Sequence, residues 1–147
     1  MDPLDFLDVA DELAARDRPA HWRSAMSRAY YAAYNVTVSL LEGMGFAIPA
    51  SGKSHKLVRD FLHNAGDVKV EGCAQKLAAL YDWRVKADYR MSNRHIEDAR
   101  LARSVVGQAS GIIEELRGAT SDAERRNSIE KAIGYWTQTG RAALSGR

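Results

Sequence analysis

Residues 29–41 read AYYAAYNVTVSLL, and their spacing decides the fold. Apolar and aromatic side chains fall on nearly every side of a 3.6-residue turn. That pattern places the segment at the centre of a helical bundle, with partners on more than one side. The helix begins near Pro19 or His21 and runs to about Glu42, where Gly43-Met44-Gly45 stops it. Ahead of it, Leu4, Leu7, Ala10 or Asp11, and Ala14 mark a short first helix, with Pro3 suited to its first turn. After it, residues 46–55 read as a loop, and Ser54 is placed to cap a third helix over 55–65. Asp67 is placed to cap a fourth helix over about 68–91. Met91-Ser92-Asn93 then breaks the chain before a fifth helix over about 93–117. Ser121-x-x-Glu124 is a capping-box pattern that opens a sixth helix. In that last helix Ile129, Ile133, Trp136 and Ala143 or Leu144 share a face, so it should dock rather than dangle.

No segment alternates as a strand would, and no internal repeat or low-complexity tract occurs. A length of 147 residues suggests one domain. The expected fold is all-α: an antiparallel up-and-down bundle of four to five core helices over 1–117, plus a C-terminal extra helix. That helix lies in an extension, 118–147, which packs on the bundle or on a dimer partner.

A net charge of +2 does not point to nucleic acid, but the charge is unevenly spread. Residues 1–15 carry Asp2, Asp5, Asp8, Asp11 and Glu12 and no basic side chain. Residues 84–103 carry Arg84, Lys86, Arg90, Arg94, Arg100 and Arg103 against Asp88, Glu97 and Asp98, a local excess of positive charge. The single cysteine, Cys73, excludes a disulfide framework within the chain and reads as a small apolar helix residue. No apolar run reaches the length of a membrane span, and the acidic N-terminus is unlike a signal leader, so a cytoplasmic location is expected.

Three motifs bear on chemistry. Ser51-Gly52-Lys53-Ser54-His55 resembles part of a phosphate loop, but Ala47 stands where the first glycine is required and no strand precedes it. The four histidines, His21, His55, His63 and His95, form no H-E-x-x-H pair, so neither a metal nor another cofactor is expected. The third motif is Tyr81-Asp-Trp-Arg84-Val-Lys-Ala-Asp88-Tyr89-Arg90. The core-facing seam of the fourth helix runs Val70, Cys73 or Ala74, Leu77, Tyr81, and then passes into Arg84 and Asp88. Charges on a buried seam cost several kcal/mol unless paired, of the order of 3–5 kcal/mol. They are therefore either a satisfied core network or the lining of a cleft. A polar strip on the central helix, Ser24, Arg28, Tyr31 and Asn35, could face the same groove. Arg90 and His95, separated by four residues, supply a phosphate clamp and a proton carrier, enough for metal-free RNA cleavage by the 2′-hydroxyl.

Taken in order, SRAYYAAYNVTVSLLEGMG (27–45), Pro49 followed by SHKLVRDF (54–61), and LYDWRVKADYR (80–90) resemble the HEPN domain superfamily. The likeness is to its branch with S-R-A-Y-Y-A-A-F/Y and L-Y-x-x-R-x-x-A-D-Y motifs, and it covers about residues 1–117. The resemblance implies a four- to five-helix bundle that commonly dimerises. Many members are metal-independent RNases in which an Arg, four to six residues and a His meet their copy across the dimer. Others are toxins encoded beside a nucleotidyltransferase antitoxin, and others are inactive binding subunits. Arg84 takes the family Arg, but Tyr89, preceded by Asp88, stands where the His is expected. Arg90 and His95 satisfy the spacing six residues later and straddle the break.

The leading expectation is therefore a HEPN-type RNA- or nucleotide-binding homodimer of a toxin–antitoxin or defence system. Arg84, with Arg28 and Arg90, would hold phosphate, and Asp88 would orient Arg84. Tyr31, Tyr89 and Arg94 would contribute further contacts. One alternative is an active RNase that uses Arg84, Arg90 and His95 and leaves 2′,3′-cyclic phosphate ends. The other is a non-catalytic helical adaptor that binds a partner such as a nucleotidyltransferase, with Arg84 and Asp88 as a buried structural pair.

Overall fold

The structure, a computed structural model, describes residues 1–145, with side chains described through residue 140. Six α-helices follow in order: α1 (Leu4–Ala14), α2 (Pro19–Gly43), α3 (Ser54–His63), α4 (Val68–Tyr89), α5 (Ala99–Ser121) and α6 (Ala123–Ser145), with a 3-10 turn at Arg94–Ile96. No strand is present among the described residues. The fold is an all-α helical bundle.

Helix α2 is the axis of the molecule. It packs against α1, α4 and α5, and Ala25, Met26, Ala29, Tyr30, Ala32 and Ala33 are all inaccessible to solvent. The alanines explain how one helix packs closely on several neighbours, because they let backbones approach without large side chains intervening. The chain leaves the helix through Gly45, whose φ of +93° favours glycine. Phe46 N–H then donates back to the Leu41 carbonyl at 3.0 Å.

Three helix boundaries differ from the sequence expectation, each for a local reason. Ser54 is the first residue of α3 rather than its cap, and its hydroxyl donates to the Pro49 carbonyl across the loop. Helix α5 starts at Ala99, not near 93, because Asp98 Oδ2 accepts from Leu101 N–H at 2.8 Å and caps it. The Ser121 capping box does not form: Ser121 Oγ donates back to the Gly118 carbonyl, and Asp122 Oδ1 accepts from Arg125 N–H at 3.0 Å instead. Asp67 caps α4 as expected, accepting from Lys69 and Val70 N–H.

Helix α6 is docked. Ile129 and Ile133 are buried, and Trp136 meets Phe61 edge to face at 5.3 Å. Arg125 makes two hydrogen bonds to Asp67, and Arg126 donates to the Gly43 carbonyl at the end of α2. The approach is close at Gly66, where a Cβ would lie 3.0 Å from the Ala132 Cβ. Ala143 and Leu144, expected on the same face, lie outside the described side chains. Helix α5 continues past residue 117 to Ser121, so the sequence boundary at 117 falls inside a helix.

The chain between α4 and α5 is held from α2. Arg23, only 8% exposed, donates to the carbonyls of Lys86, Ala87, Arg90, Met91 and Asn93 and to Glu97 Oε1. They come from the last turn of α4 and the bend that follows it; the Lys86 and Arg90 carbonyls also accept from Arg90 and Asn93 N–H. One guanidinium thus closes the helix and fixes the bend, with Ile96 buried beneath it.

Candidate anion site

Side chains from α2, α3 and α4 meet at one face of the bundle. Arg84 projects from α4 toward α2, as the seam periodicity predicts, and its side chain is 13% exposed. Its guanidinium carbon lies 5.2 Å from the Tyr31 ring centroid, 5.4 Å from Tyr89 and 6.0 Å from Tyr81. Asp88 Oδ2 is 3.0 Å from Arg84 Nε and also accepts from Ser27 Oγ at 3.1 Å. The Arg84 Nε–H is not aligned on that oxygen, so the contact is an ion pair without a hydrogen bond. Among the described residues no aligned hydrogen bond uses any Arg84 donor.

Two further arginines extend the site. Arg28 stands over Tyr31 at 5.4 Å and over Phe6 at 5.0 Å. Arg59, from α3, stands over Tyr81 at 5.3 Å, and its Nη1 is buried without a hydrogen-bond partner. The result is an alternating row: Arg28, Tyr31, Arg84, Tyr81, Arg59. Each arginine is steadied by an aromatic neighbour rather than by a carbonyl. Burying a guanidinium donor unpaired is costly, and Arg84 Nε and Arg59 Nη1 are such donors.

Behind the row, Tyr30 is fully buried and its hydroxyl lies 2.6 Å from His55 Nδ1. The His55 ring also packs on Tyr34 at 4.7 Å and on Tyr81 at 5.3 Å. Burial, then the charges of Arg84 and Arg59, hold the imidazole below its ordinary range and favour the neutral ring. Burial pushes the Tyr30 phenol well above its ordinary value, so it remains protonated. Tyr34 is raised chiefly by the same cause.

Of the residues expected from sequence, the structure gathers Arg28, Tyr31, Arg84, Asp88 and Tyr89. Ser24 is exposed, and Asn35 turns to donate to the Tyr31 carbonyl. Arg90, Arg94 and His95 are exposed on the bend. His95 sits in the 3-10 turn rather than opening a helix, and no hydrogen bond, ion pair or ring contact among the described residues joins these three to Arg84. Sequence reasoning missed Arg59, His55 and Tyr30. The available signal was the i, i+4 spacing of His55 and Arg59 on the helix expected over 55–65, which was given no site role.

A groove lies elsewhere on the bundle. It measures about 610 Å³ and is lined by Lys76, Ala79, Gln108, Gly111, Glu114 and Glu115 among others. Its two glutamates against one lysine do not suit an anion, and it is open. Among the described residues no cluster of three His, Cys, Asp or Glu side chains could hold a metal ion. No helix is long and apolar enough to cross a membrane.

Fold and site together define an all-α bundle with an aromatic-walled arginine face. No protein-family model, curated protein or solved structure gave a significant match to the chain.

Proposed function

We propose that the protein is a HEPN-type RNA- or nucleotide-binding module whose ligand phosphates are held by the arginine row. The observation that carries this reading is that Arg84, Arg59 and Arg28 stack on tyrosines while, among the described residues, no hydrogen bond to a protein acceptor uses their donors. Guanidinium groups alternating with exposed or half-buried aromatic rings suit a single strand, which offers a phosphate and a base face at each step. Asp88 sets the position of Arg84 from one side, leaving the rest of the fork open. The resemblance of residues 27–45, 54–61 and 80–90 to HEPN domains supports the same class. It extends the proposal to a cytoplasmic homodimer acting in a toxin–antitoxin or defence setting, with a nucleotidyltransferase-type protein as a candidate partner.

Binding fits this geometry better than cleavage at Arg90 and His95. That pair sits on the bend, and nothing in the fold brings the imidazole against the arginine row. Binding of a short single-stranded RNA, followed by anisotropy as salt is raised, tests the reading. Three phosphate contacts predict a slope of log K against log salt of about −2 for a single strand. Arg84→Gln should weaken binding and flatten the slope by about one contact. A salt-independent affinity, or an Arg84→Gln variant that binds as wild type, rejects the proposal. RNA cleavage in EDTA that is lost in His95→Ala would instead establish the ribonuclease alternative.

A further inference from the structure

We infer that His55, fixed in one tautomer by the buried hydroxyl of Tyr30, is a direct hydrogen-bond donor to the phosphate oxygens bound between Arg59 and Arg84. This inference rests on the anion-binding reading of the arginine row and adds a group that the sequence motifs do not assign to it.

The argument begins with the Tyr30 hydroxyl. Tyr30 is completely buried, and among the described residues the only hydrogen bond of its hydroxyl is to His55 Nδ1, at 2.6 Å. A buried phenol that has no other acceptor must donate to that nitrogen, or leave its proton unsatisfied at a cost of about 1–3 kcal/mol. Donation requires the Nδ1 lone pair. The neutral ring therefore carries its proton on Nε2, the nitrogen that makes no hydrogen bond to the described residues. The neutral form is also the favoured one, since burial and the two arginines oppose a third positive charge.

The surroundings specify what an Nε2–H could meet. Arg59 Cζ and Arg84 Cζ lie 5.3 and 6.0 Å from the Tyr81 ring centroid, and the His55 ring centroid lies 5.3 Å from it. Tyr34 and Tyr31, from α2, close the other sides of the imidazole at centroid distances of 4.7 and 6.3 Å. The groups gathered around Tyr81 are thus two cations with unused donors and one neutral donor. Asp88 is the nearby carboxylate, and its Oδ2 is engaged by Arg84 and by Ser27. Such a set accepts an oxyanion with several oxygens, as a phosphate has, and offers nothing to a cation. An Nε2–H tautomer lacks the lone pair a general base needs there, so His55 is a binding group in this state and not a proton acceptor.

Long-range proton–nitrogen spectra of the His55 ring test the inference, with inorganic phosphate and 5′-phosphorylated or 5′-hydroxyl oligouridylate as probes. In the free protein Nε2 should be the protonated nitrogen, and Tyr30→Phe should mix the tautomers. Each phosphate-bearing probe that binds should move the Nε2 resonance. A response to the 5′-phosphorylated strand alone identifies a terminal phosphate as the ligand, and equal responses identify the backbone. His55→Ala should weaken binding about tenfold, the loss of one good hydrogen bond to a charged acceptor, and His55→Gln, whose amide can donate, should restore most of it. If RNA binds in an Arg84-dependent way while the His55 nitrogens stay unmoved and His55→Ala binds as wild type, this inference is overturned and the arginine site stands. If binding is indifferent to Arg84, the underlying reading falls, and this inference with it.

Discussion

Arg23 and Arg84 project from two adjoining helices toward the same seam, yet they are opposites in chemistry. Arg23 fills its fork with five carbonyls and a carboxylate. Arg84 touches three aromatic rings and one misaligned carboxylate, and it makes no aligned hydrogen bond among the described residues. Both are arginines near a core, so burial alone does not separate a structural group from a binding group. The separating quantity is hydrogen-bond satisfaction: a guanidinium completed by its own protein holds the fold, and one left incomplete is, on the proposed reading, a ligand group.

The contrast makes its largest prediction at Arg23. Arg23→Ala strands Glu97 and the carbonyls at the end of α4, and should destabilise the protein by about 3–5 kcal/mol in denaturant titration. Arg23→Lys should recover only part of this, because an ammonium cannot reach so many acceptors in one plane. A loss near zero would mean that the bend between α4 and α5 satisfies itself with water.

Arg84 should behave in the reverse way. Arg84→Ala removes stacking on tyrosines and a partly buried, misaligned ion pair, costing about 1–2 kcal/mol of stability. Its loss in affinity for single-stranded RNA should be larger, about tenfold or more, because charge-assisted hydrogen bonds disappear. A melting temperature that collapses as far as in Arg23→Ala, with affinity preserved, would assign Arg84 to the fold and favour the adaptor reading.

Seen through this pair, the sequence shows the backbone better than the side-chain partners. The apolar surround of residues 29–41 led directly to a central α2, and the seam through Tyr81 led to Arg84 and Asp88 facing inward. Periodicity reports direction, and direction is what these two features needed. Arg23 was invisible because its acceptors are backbone carbonyls, which carry no sequence signal. His55 and Arg59 were missed for a different reason: their role depends on how α3 meets α2 and α4, and Tyr30 reads as one more apolar residue until its hydroxyl has a partner. The break at 91–93 was legible from Met-Ser-Asn, but not the delayed start of α5, which Asp98 fixes by capping.

A smaller effect is expected at Asp67, where an arginine and a cap coincide. Asp67 accepts from two N–H groups of α4 and from Arg125, and the Arg125 contact is the chief reason its carboxyl lies below the usual range. Asp67→Ala should cost about 1 kcal/mol through the lost cap, and Asp67→Asn, which can still cap, should cost less. Arg125 thus resembles Arg23 in having its partner within the chain, but at the surface, so its variants should leave RNA binding untouched.

The smallest effect separates the two regions by pH. His55 is held below its ordinary value of about 6.5, so the unfolded chain takes up the proton more readily than the folded one. The stability contributed by the neutral ring is fully present above about pH 6.5 and declines as pH falls through the lower folded value. Asp67, also depressed, begins to lose its contribution only below about pH 3.8, the ordinary carboxyl value. Unfolding free energy measured between pH 7.5 and 5 should therefore slope downward in the wild type and lie flatter in His55→Gln, while Arg23→Lys shifts the curve without changing its slope. A wild-type slope that survives His55→Gln would place the titrating group elsewhere and remove the neutral imidazole from the account of the arginine face.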